Sequence, residues 1–362
     1  MAIQQESAVS NPFQTDEDVL VRYRELRPDA IGYSIEANEK AFPEIYARFG
    51  ETGRNACVQE LTLQLDFLQP TLETGDISLF IAYLAWLVQV LTSRGVPLQV
   101  VTRSLDDLGV FFETKLGIQA TPIIAALSSG KEALSSGTAV PVIGACPSRW
   151  KEAEFYSEAA LLGRQDDAIA LLEDAFTRAD SLPLVAVHVI QPAMYDVGQL
   201  WQENRVSVAQ EQLATATSES WLAQSMARAK AATDNGKRAV FASLAGNQHI
   251  LGLNMVADAF ELDGWVVDNL GADTPIETLV DHVSDTCPHL VGLSATLPQH
   301  LWGLRRTINR LRQTFGDGCP RIAVGGLAIN QFPGLADWVG AEVLGPDALA
   351  AVAATAAEQP CH

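Results

Sequence analysis

The sequence predicts a multidomain protein that joins an all-helical part to a doubly wound α/β domain. The chain has 362 residues and is 48% hydrophobic and 19% charged, which is typical of a globular protein of two or three domains. From residue 16 to 230 the apolar positions recur near the helical period. From 237 to 356 short apolar segments alternate with helical stretches, a pattern that indicates a parallel sheet.

The N-terminal third is predicted to be a helical sensor domain. Residues 1–15 are polar and expected to be flexible. Helices are predicted at 16–26, 30–49, 56–72, 77–93, 98–116 and 122–128, between proline and glycine breakers. Six helices in residues 16–135 indicate a globin-like or sensor-type bundle. A stretch rich in serine and glycine, Ser128 to Gly144, indicates a linker, which we place at 136–147.

Histidine usage limits what this helical domain can bind. All six histidines lie at residue 188 or beyond, so no internal histidine can hold a haem there. The domain is rich in aromatic residues at helical spacing, which favours a role as core. A pocket for a flat tetrapyrrole is the alternative interpretation.

Residues 148–232 are helical again, and residues 233–357 alternate between strands and helices. Strands are predicted at 239–242, 265–268, 290–293, 321–324 and 341–344, with helices such as 252–262 and 275–286 between them. The order suits a flavodoxin-like doubly wound domain. Such sheets bind ligands at the carboxyl edge of their strands.

A histidine follows the first of these strands. His249 comes two residues after Asn247, and Gly252 opens the next helix. Two further groups follow other strands, after intervals of 41 and then 28 residues: Ser294 with Thr296, and Gly325 with Gly326. Imidazole is a common metal ligand, and the topology brings all three groups to one edge.

This spacing resembles the cobalamin-binding module of methionine synthases, mutases and light-responsive cobalamin repressors. The resemblance implies that His249 ligates cobalt beneath the corrin ring. It also implies that Ser294, Thr296 and the backbone at Gly325 and Gly326 take up the nucleotide tail of a base-off cobalamin.

One position departs from that family. Where its members carry an aspartate that accepts a hydrogen bond from the other imidazole nitrogen, this chain has Asn247. An amide oxygen can still accept such a bond but carries no charge. We therefore expect a weaker or differently tuned bond between His249 and cobalt.

The segment Val189 to Gln212 is similar to the four-helix cap of methionine synthase and of the light-responsive repressors. Nine residues separate Trp201 from Glu211, and Ser207 with Gln210 is predicted to cap the second helix. The resemblance implies that Trp201 covers the adenosyl group on the upper cobalt face and that Glu211 contacts its sugar.

The family pattern continues with a histidine where this chain has Gln212, a far poorer ligand. The upper cobalt position after illumination is therefore left to water, to another side chain such as His188, or to no protein ligand.

The loop Leu270 to Pro275 resembles a loop of photosensing and methyl-carrying cobalamin proteins. That resemblance places Asp273 and Thr274 beside the lower corrin face. An ordinary strand-to-helix turn, with Thr274 as the N-cap and Pro275 as the first helical residue, is an equal alternative.

The whole arrangement resembles the photocobilins, receptors that carry cobalamin and biliverdin. It implies adenosylcobalamin and biliverdin as cofactors, and a light sensor that changes conformation or oligomeric state. Two other functions remain open. The chain could be a corrinoid methyl carrier of a methyltransferase system, or a cobalamin-binding regulator of a protein partner without photochemistry.

Charge and composition exclude several classes of function. The net charge of −20 argues against direct nucleic-acid binding. The apolar run near 77–91 is too short to span a membrane, and no signal peptide is visible. The five scattered cysteines indicate a reducing compartment. We expect a cytoplasmic homo-oligomer, a dimer, without enzymatic turnover because no catalytic pair stands out.

Overall fold

The computed structural model describes residues 11–138, 148–296, 300–332 and 334–356. These residues fall into two compact units, Met1–Val142 and Ile143–His362. Residues 1–10 of the predicted flexible segment and residues 139–147 of the predicted linker lie outside the described part.

The described part of the first unit is entirely helical. Its elements are α1 (Glu17–Ala41), α2 (Pro43–Thr74), α3 (Ser78–Ser93), α4 (Leu98–Leu116), a 3-10 turn (Gly117–Ala120) and α5 (Thr121–Ser136). Aromatic rings stack inside it, with centroids 5.2 Å apart for Tyr23 and Phe112 and 4.2 Å apart for Phe67 and Tyr83. These four rings therefore belong to the core, as their spacing predicted.

Two predicted helix breaks turn out differently. The break at Pro28 is wrong, because α1 runs through it. Pro28 is exposed, so the hydrogen bond that its missing N–H omits faces solvent. The break near Gly50 is a kink, since Gly50 has φ 59° and ψ −147° within α2.

The edges of this unit are also more ordered than the sequence indicates. Thr15 N donates to Leu72 O at 2.9 Å, so residues just before α1 are held against α2. The helix predicted at 122–128 is longer than expected, because α5 runs from Thr121 to Ser136, where we placed the start of the linker. Gly130 lies at a close helix contact, where a Cβ would come within 2.7 Å of Leu84 Cδ1.

One described segment, Leu98–Ser136, is long and apolar enough by composition to cross a membrane. It is not one straight helix, because Gly117 ends α4 with φ 57° and ψ −132°. Apolar side chains of α4 such as Leu105 and Leu108 are buried in the bundle. The segment is therefore two helices that bury part of their apolar side chains in the bundle.

The second unit begins with a helical cap. It comprises α6 (Glu152–Leu161), α7 (Gln165–Ala179), α8 (Leu182–Val185), α9 (Gln191–Gln202) and α10 (Val208–Met226). A π-helical turn, Ala186–Ile190, joins α8 to α9 into one continuous helical segment. The cap therefore consists of four helical segments. Its core is formed by apolar side chains such as Leu172 and Ile190, and the buried hydroxyls of Tyr156 and Ser218 hydrogen-bond to each other at 2.6 Å.

The rest of the second unit is a parallel α/β domain. Its elements are β1 (Arg238–Ser243), α11 (Leu251–Leu262), β2 (Val266–Asn269), α12 (Ile276–Thr286), β3 (Leu290–Ser294), α13 (Leu301–Phe315), β4 (Arg321–Gly325), α14 (Leu327–Gln331), α15 (Gly334–Val339) and α16 (Ala348–Ala356). The strand order is β2-β1-β3-β4 and every pair is parallel. The predicted doubly wound fold is confirmed.

The register aligns the carboxyl ends of the strands. Ser243 pairs with Ser294, and Ser294 pairs with Gly325. The predicted fifth strand, 341–344, is wrong, because it makes only an isolated bridge between Ala323 and Glu342. Gly340 and Gly345, with φ 75° and 148°, turn the chain on either side and keep the segment short.

Candidate cofactor site

The loop after β1 presents His249 at the carboxyl edge of the sheet. Its side chain is exposed, whereas Asn247 two residues earlier is fully buried. Gly246 takes φ 83°, which favours glycine and lets the chain turn before Asn247. The loop therefore buries the side chain of Asn247 and leaves the side chain of His249, the candidate ligand, exposed.

Asn247 supports the loop in a way that the sequence did not predict. Its Oδ1 accepts a hydrogen bond from the backbone N of His249 at 3.2 Å. Its Nδ2 donates to Ser294 O at 3.3 Å and to Thr296 Oγ1 at 3.4 Å. The expected hydrogen bond between the amide oxygen and the imidazole ring is replaced here by one to the backbone.

The loop after β2 holds the histidine loop from the other side. Asp273 Oδ1 accepts from Gly246 N at 2.7 Å, and Asp273 N donates to Asn247 O at 3.2 Å. Thr274 is buried, and its N donates to Ser243 O at 2.9 Å. These residues are near His249, as the resemblance implied.

The prediction that Thr274 caps α12 is wrong. The N-cap is Pro275, with ψ 146°, and no side chain caps this helix. Thr274 instead forms an isolated parallel bridge with Leu244, which extends the β1 edge by one residue. The backbone of Thr274 therefore helps to hold the loop that carries His249.

The glycines of the motif divide into two kinds. A Cβ at Gly326 would lie 2.5 Å from Ala295 O, and its φ is 98°, so the backbone itself requires glycine there. A Cβ at Gly252 or at Gly325 would meet no heavy atom within 4 Å. These two glycines border open space beside the sheet edge, which suits a bulky ligand.

His300 belongs to this site although the sequence reasoning did not assign it. It is buried just before α13. Burial lowers the pKa of its imidazole below the usual 6.5, nearby His249 lowers it further, and a hydrogen bond with Gly246 opposes the shift. Its position shortly after β3, as His249 follows β1, was the available signal.

The two predicted cap residues lie on either side of the turn that joins α9 to α10, which we call the α9–α10 corner. Trp201 is half-buried near the end of α9, and Glu211 is half-buried in the first turn of α10. The predicted capping box is confirmed, with Ser207 Oγ accepting from Gln210 N at 3.3 Å. Gln212 is exposed.

His188 is engaged elsewhere in the cap. Its Nδ1 lies 2.6 Å from Ser148 O, and its ring stacks on Trp150 with centroids 5.2 Å apart. The backbone of His188 also accepts from Trp150 N at 2.9 Å. These contacts do not favour His188 as an upper cobalt ligand.

The cap packs directly on the α/β domain. Leu251 and Met255 of α11 contact the cap core, so the helix that follows His249 lies against the cap. Gln191 Nε2 donates to Pro346 O at 3.1 Å, and Asn330 Nδ2 donates to Tyr195 Oη at 3.2 Å. The cap and the carboxyl edge of the sheet, where His249 lies, are thus parts of one compact unit.

The chemistry of this donor set fits a metal that is already held by a macrocycle. Within the described residues no three or more histidine, cysteine, aspartate or glutamate side chains gather to hold a metal ion. A metal at His249 must therefore bring most of its other ligands, as the cobalt of a corrin does.

Comparison with known proteins agrees with this geometry. Two family models, each described as a B12 binding domain, match residues 153–224 and 237–354. The chain is a cobalamin-binding protein. The two matches coincide with the cap and with the sheet domain that carries His249.

Proteins of two kinds are similar to this cobalamin-binding protein. The HTH-type transcriptional repressor CarH of Myxococcus xanthus is 28% identical over 262 residues, which are 68% of this chain and 83% of the repressor. The dimethylamine corrinoid protein 1 of Methanosarcina mazei is 24% identical over 199 residues, 54% of this chain and 91% of that protein. Among solved structures, the monomethylamine corrinoid protein of Methanosarcina barkeri shares the fold, with a TM-score of 0.52 at 15% identity over 57% of this chain and 99% of its own.

Proposed function

We propose that this protein is a light-sensing signalling protein that binds adenosylcobalamin base-off, with His249 as the lower cobalt ligand. The observation that carries the proposal is the α9–α10 corner, where Trp201 lies near the end of α9 and Glu211 in the first turn of α10, in a cap that packs against the helix after His249. Bound adenosylcobalamin supplies a cobalt–carbon bond that light can break.

Different residues of this chain would contact different parts of the cofactor. The exposed imidazole of His249 offers a lone pair to the metal, and the open space at Gly252 and Gly325 admits the cofactor. Trp201 excludes water from the upper face, and the Glu211 carboxylate accepts hydrogen bonds from sugar hydroxyls. When the adenosyl group is lost, Trp201 would lose the group against which it packs. Its side chain would then repack, and the population would shift between two arrangements of the cap.

A corrinoid methyl carrier is the second candidate, and the match to a dimethylamine corrinoid protein supports it. A carrier has to open its upper face to partner enzymes. The Trp201–Glu211 corner favours the sensor, because these side chains would cover that face. The third candidate, a non-photochemical regulator of a protein partner, shares every residue and differs in its output.

A second chromophore, biliverdin in residues 16–135, extends the proposal. A surface groove between α1 and α4 is lined by Tyr33, Lys40 and Arg103, among others. Lys40 could pair with a propionate of a linear tetrapyrrole, whereas Arg103 already pairs with Asp107 at 2.8 Å between Nε and Oδ1. Absorption spectra of protein produced with both cofactors test this part, since bound biliverdin adds a far-red band.

Size-exclusion chromatography of the adenosylcobalamin-loaded protein, in the dark and after green light, tests the central proposal. A sensor changes its elution volume on illumination, whereas the same protein loaded with hydroxocobalamin does not. Unchanged elution after illumination favours the non-photochemical regulator. In a separate assay with methylcobalamin-loaded protein, transfer of its methyl group to an acceptor substrate by a corrinoid-dependent methyltransferase favours the carrier.

The proposal includes a cytoplasmic homo-oligomer, a dimer in one of its states, with output through a regulatory protein partner or through assembly. It includes no membrane, no direct contact with nucleic acid and no turnover by the chain itself.

A further inference from the structure

The Asn247 side chain is a buried junction between two loops. It lies in the loop after β1 and is fully buried. One end of its amide meets the backbone N of His249, and the other meets Ser294 O at the end of β3. The side chain therefore joins the candidate cobalt ligand to the strand whose hydroxyls are predicted to contact the nucleotide tail.

The chemistry of the two backbone partners requires an amide. A peptide N–H can only donate and a carbonyl oxygen can only accept. The bridging side chain must therefore accept at the His249 end and donate at the Ser294 end. These partners also set the orientation of the amide, since the flipped form would place its oxygen against Ser294 O.

An aspartate at this position would meet a repulsive contact. Its second oxygen would face Ser294 O, so two acceptors would meet without a proton in a buried place. The Thr296 hydroxyl, now 3.4 Å from Asn247 Nδ2, could turn toward a carboxylate. The Ser294 carbonyl belongs to the β3 backbone and cannot turn in this way.

We propose that Asn247 is a positioning residue that ties the His249 loop to the end of β3, and that its amide nitrogen is essential for this role. The inference rests on the proposed function in that His249 is the cobalt ligand. It adds that the aspartate found in the resembling module would loosen the site in this chain.

Three variants test the inference. Asn247→Asp changes the donor into an acceptor, Asn247→Ala removes both hydrogen bonds, and Gln248→Glu adds the same charge one residue away on an exposed side chain. Hydrogen–deuterium exchange of residues 244–250 in cobalamin-free protein reports the tie. Absorption spectra and titration with adenosylcobalamin in the dark report the site.

We expect exchange in this loop to rise about tenfold in both Asn247 variants, and affinity to fall by a similar factor. The fraction with base-on absorption should rise in both, with Asn247→Asp at least as affected as Asn247→Ala. Gln248→Glu should match the wild type. If Asn247→Ala folds and Asn247→Asp does not, the repulsion argument is also supported.

Wild-type exchange, affinity and spectrum in Asn247→Asp would overturn the inference. Failure of the proposed function looks different, because the wild type would then bind no corrinoid. The exchange measurement on cobalamin-free protein would still report whether Asn247 holds the loop.

Discussion

The carboxylate of Asp273 accepts a hydrogen bond from the backbone N–H of Gly246 at 2.7 Å. The two residues lie on loops that follow neighbouring parallel strands, β2 and β1. The backbone of Asp273 also donates to Asn247 O, at 3.2 Å. The loop after β2 thus holds the first residues of the His249 loop in position in the absence of a ligand.

Replacing Asp273 with alanine should loosen this loop and weaken corrinoid binding. One charge-assisted hydrogen bond is lost, which costs about 1–3 kcal/mol. Asp273→Asn is the matched control, because it keeps an acceptor and tolerates the left-handed φ of 52°. Thermal unfolding and adenosylcobalamin titration measure the effect. Equal affinity for Asp273→Ala and wild type would contradict this role.

The His249→Ala variant should fold normally, because the side chain it removes is exposed. It should lose the base-off, His-on absorption spectrum and most of its cobalamin affinity. Gln248→Ala, a change at the exposed neighbour, should keep both. If the wild-type spectrum persists in His249→Ala, the ligand assignment is wrong.

The Trp201→Ala variant should reduce the preference for adenosylcobalamin over aquocobalamin, because the indole would no longer pack against the adenosyl group. Phe155→Ala provides the control, since this cap side chain is 57% exposed on α6. Competition between the two cobalamins, followed in the dark by absorption, measures the ratio. An unchanged ratio in Trp201→Ala counts against the sensor proposal.

The two adjacent glycines should respond differently to alanine. Gly326→Ala should destabilise the cobalamin-free protein by about 1–3 kcal/mol, because its φ is 98° and its Cβ would collide with Ala295 O. Gly325→Ala should leave that stability unchanged, since its Cβ meets open space, and should lower cobalamin affinity. Melting curves with and without cofactor separate the two effects. Equal loss of stability in both variants would refute the distinction.

Glu60 should make the first unit less stable as pH rises. Burial raises the pKa of its carboxyl from 4.5 to about 7, against the opposing charge of Arg94. The folded state therefore binds this proton more tightly than the unfolded state, so the contribution of Glu60 to stability is highest below pH 4.5 and falls until about pH 7.

Glu60→Gln removes this dependence and should raise stability at pH 8 by roughly 1–3 kcal/mol relative to the wild type. Denaturant unfolding at pH 5 and pH 8 measures the difference. Glu51→Gln, an exposed change on the same helix, should show no such gain. A wild-type pH profile in Glu60→Gln would show that another group is responsible.

The α/β domain could be predicted from sequence because its strands are short apolar runs that end in polar or glycine residues. The register then places Ser294 beside Gly325 without further information. Helix breaks in the first unit were harder, since an exposed proline such as Pro28 is compatible with a continuous helix.

The supporting contacts of the site could not be predicted in the same way. Whether Asn247 bonds to an imidazole or to a backbone N–H depends on distances of a few tenths of an ångström between loops. His300 was missed because its role depends on burial against the His249 loop, which sequence spacing does not report.

The π-helical turn Ala186–Ile190 adds one residue to an otherwise continuous rod, and Gln191 N donates to Ala186 O, five positions back. In a regular α-helix an extra residue rotates everything that follows it by about 100° around the helix axis, and the wider π-helical turn takes up that residue. The direction in which Trp201 points around the helix axis therefore depends on a turn that begins fifteen residues earlier, at Ala186. If this turn changed to ordinary α-helical geometry without losing a residue, the indole would rotate away from its present direction while the sheet and its histidine stayed in place.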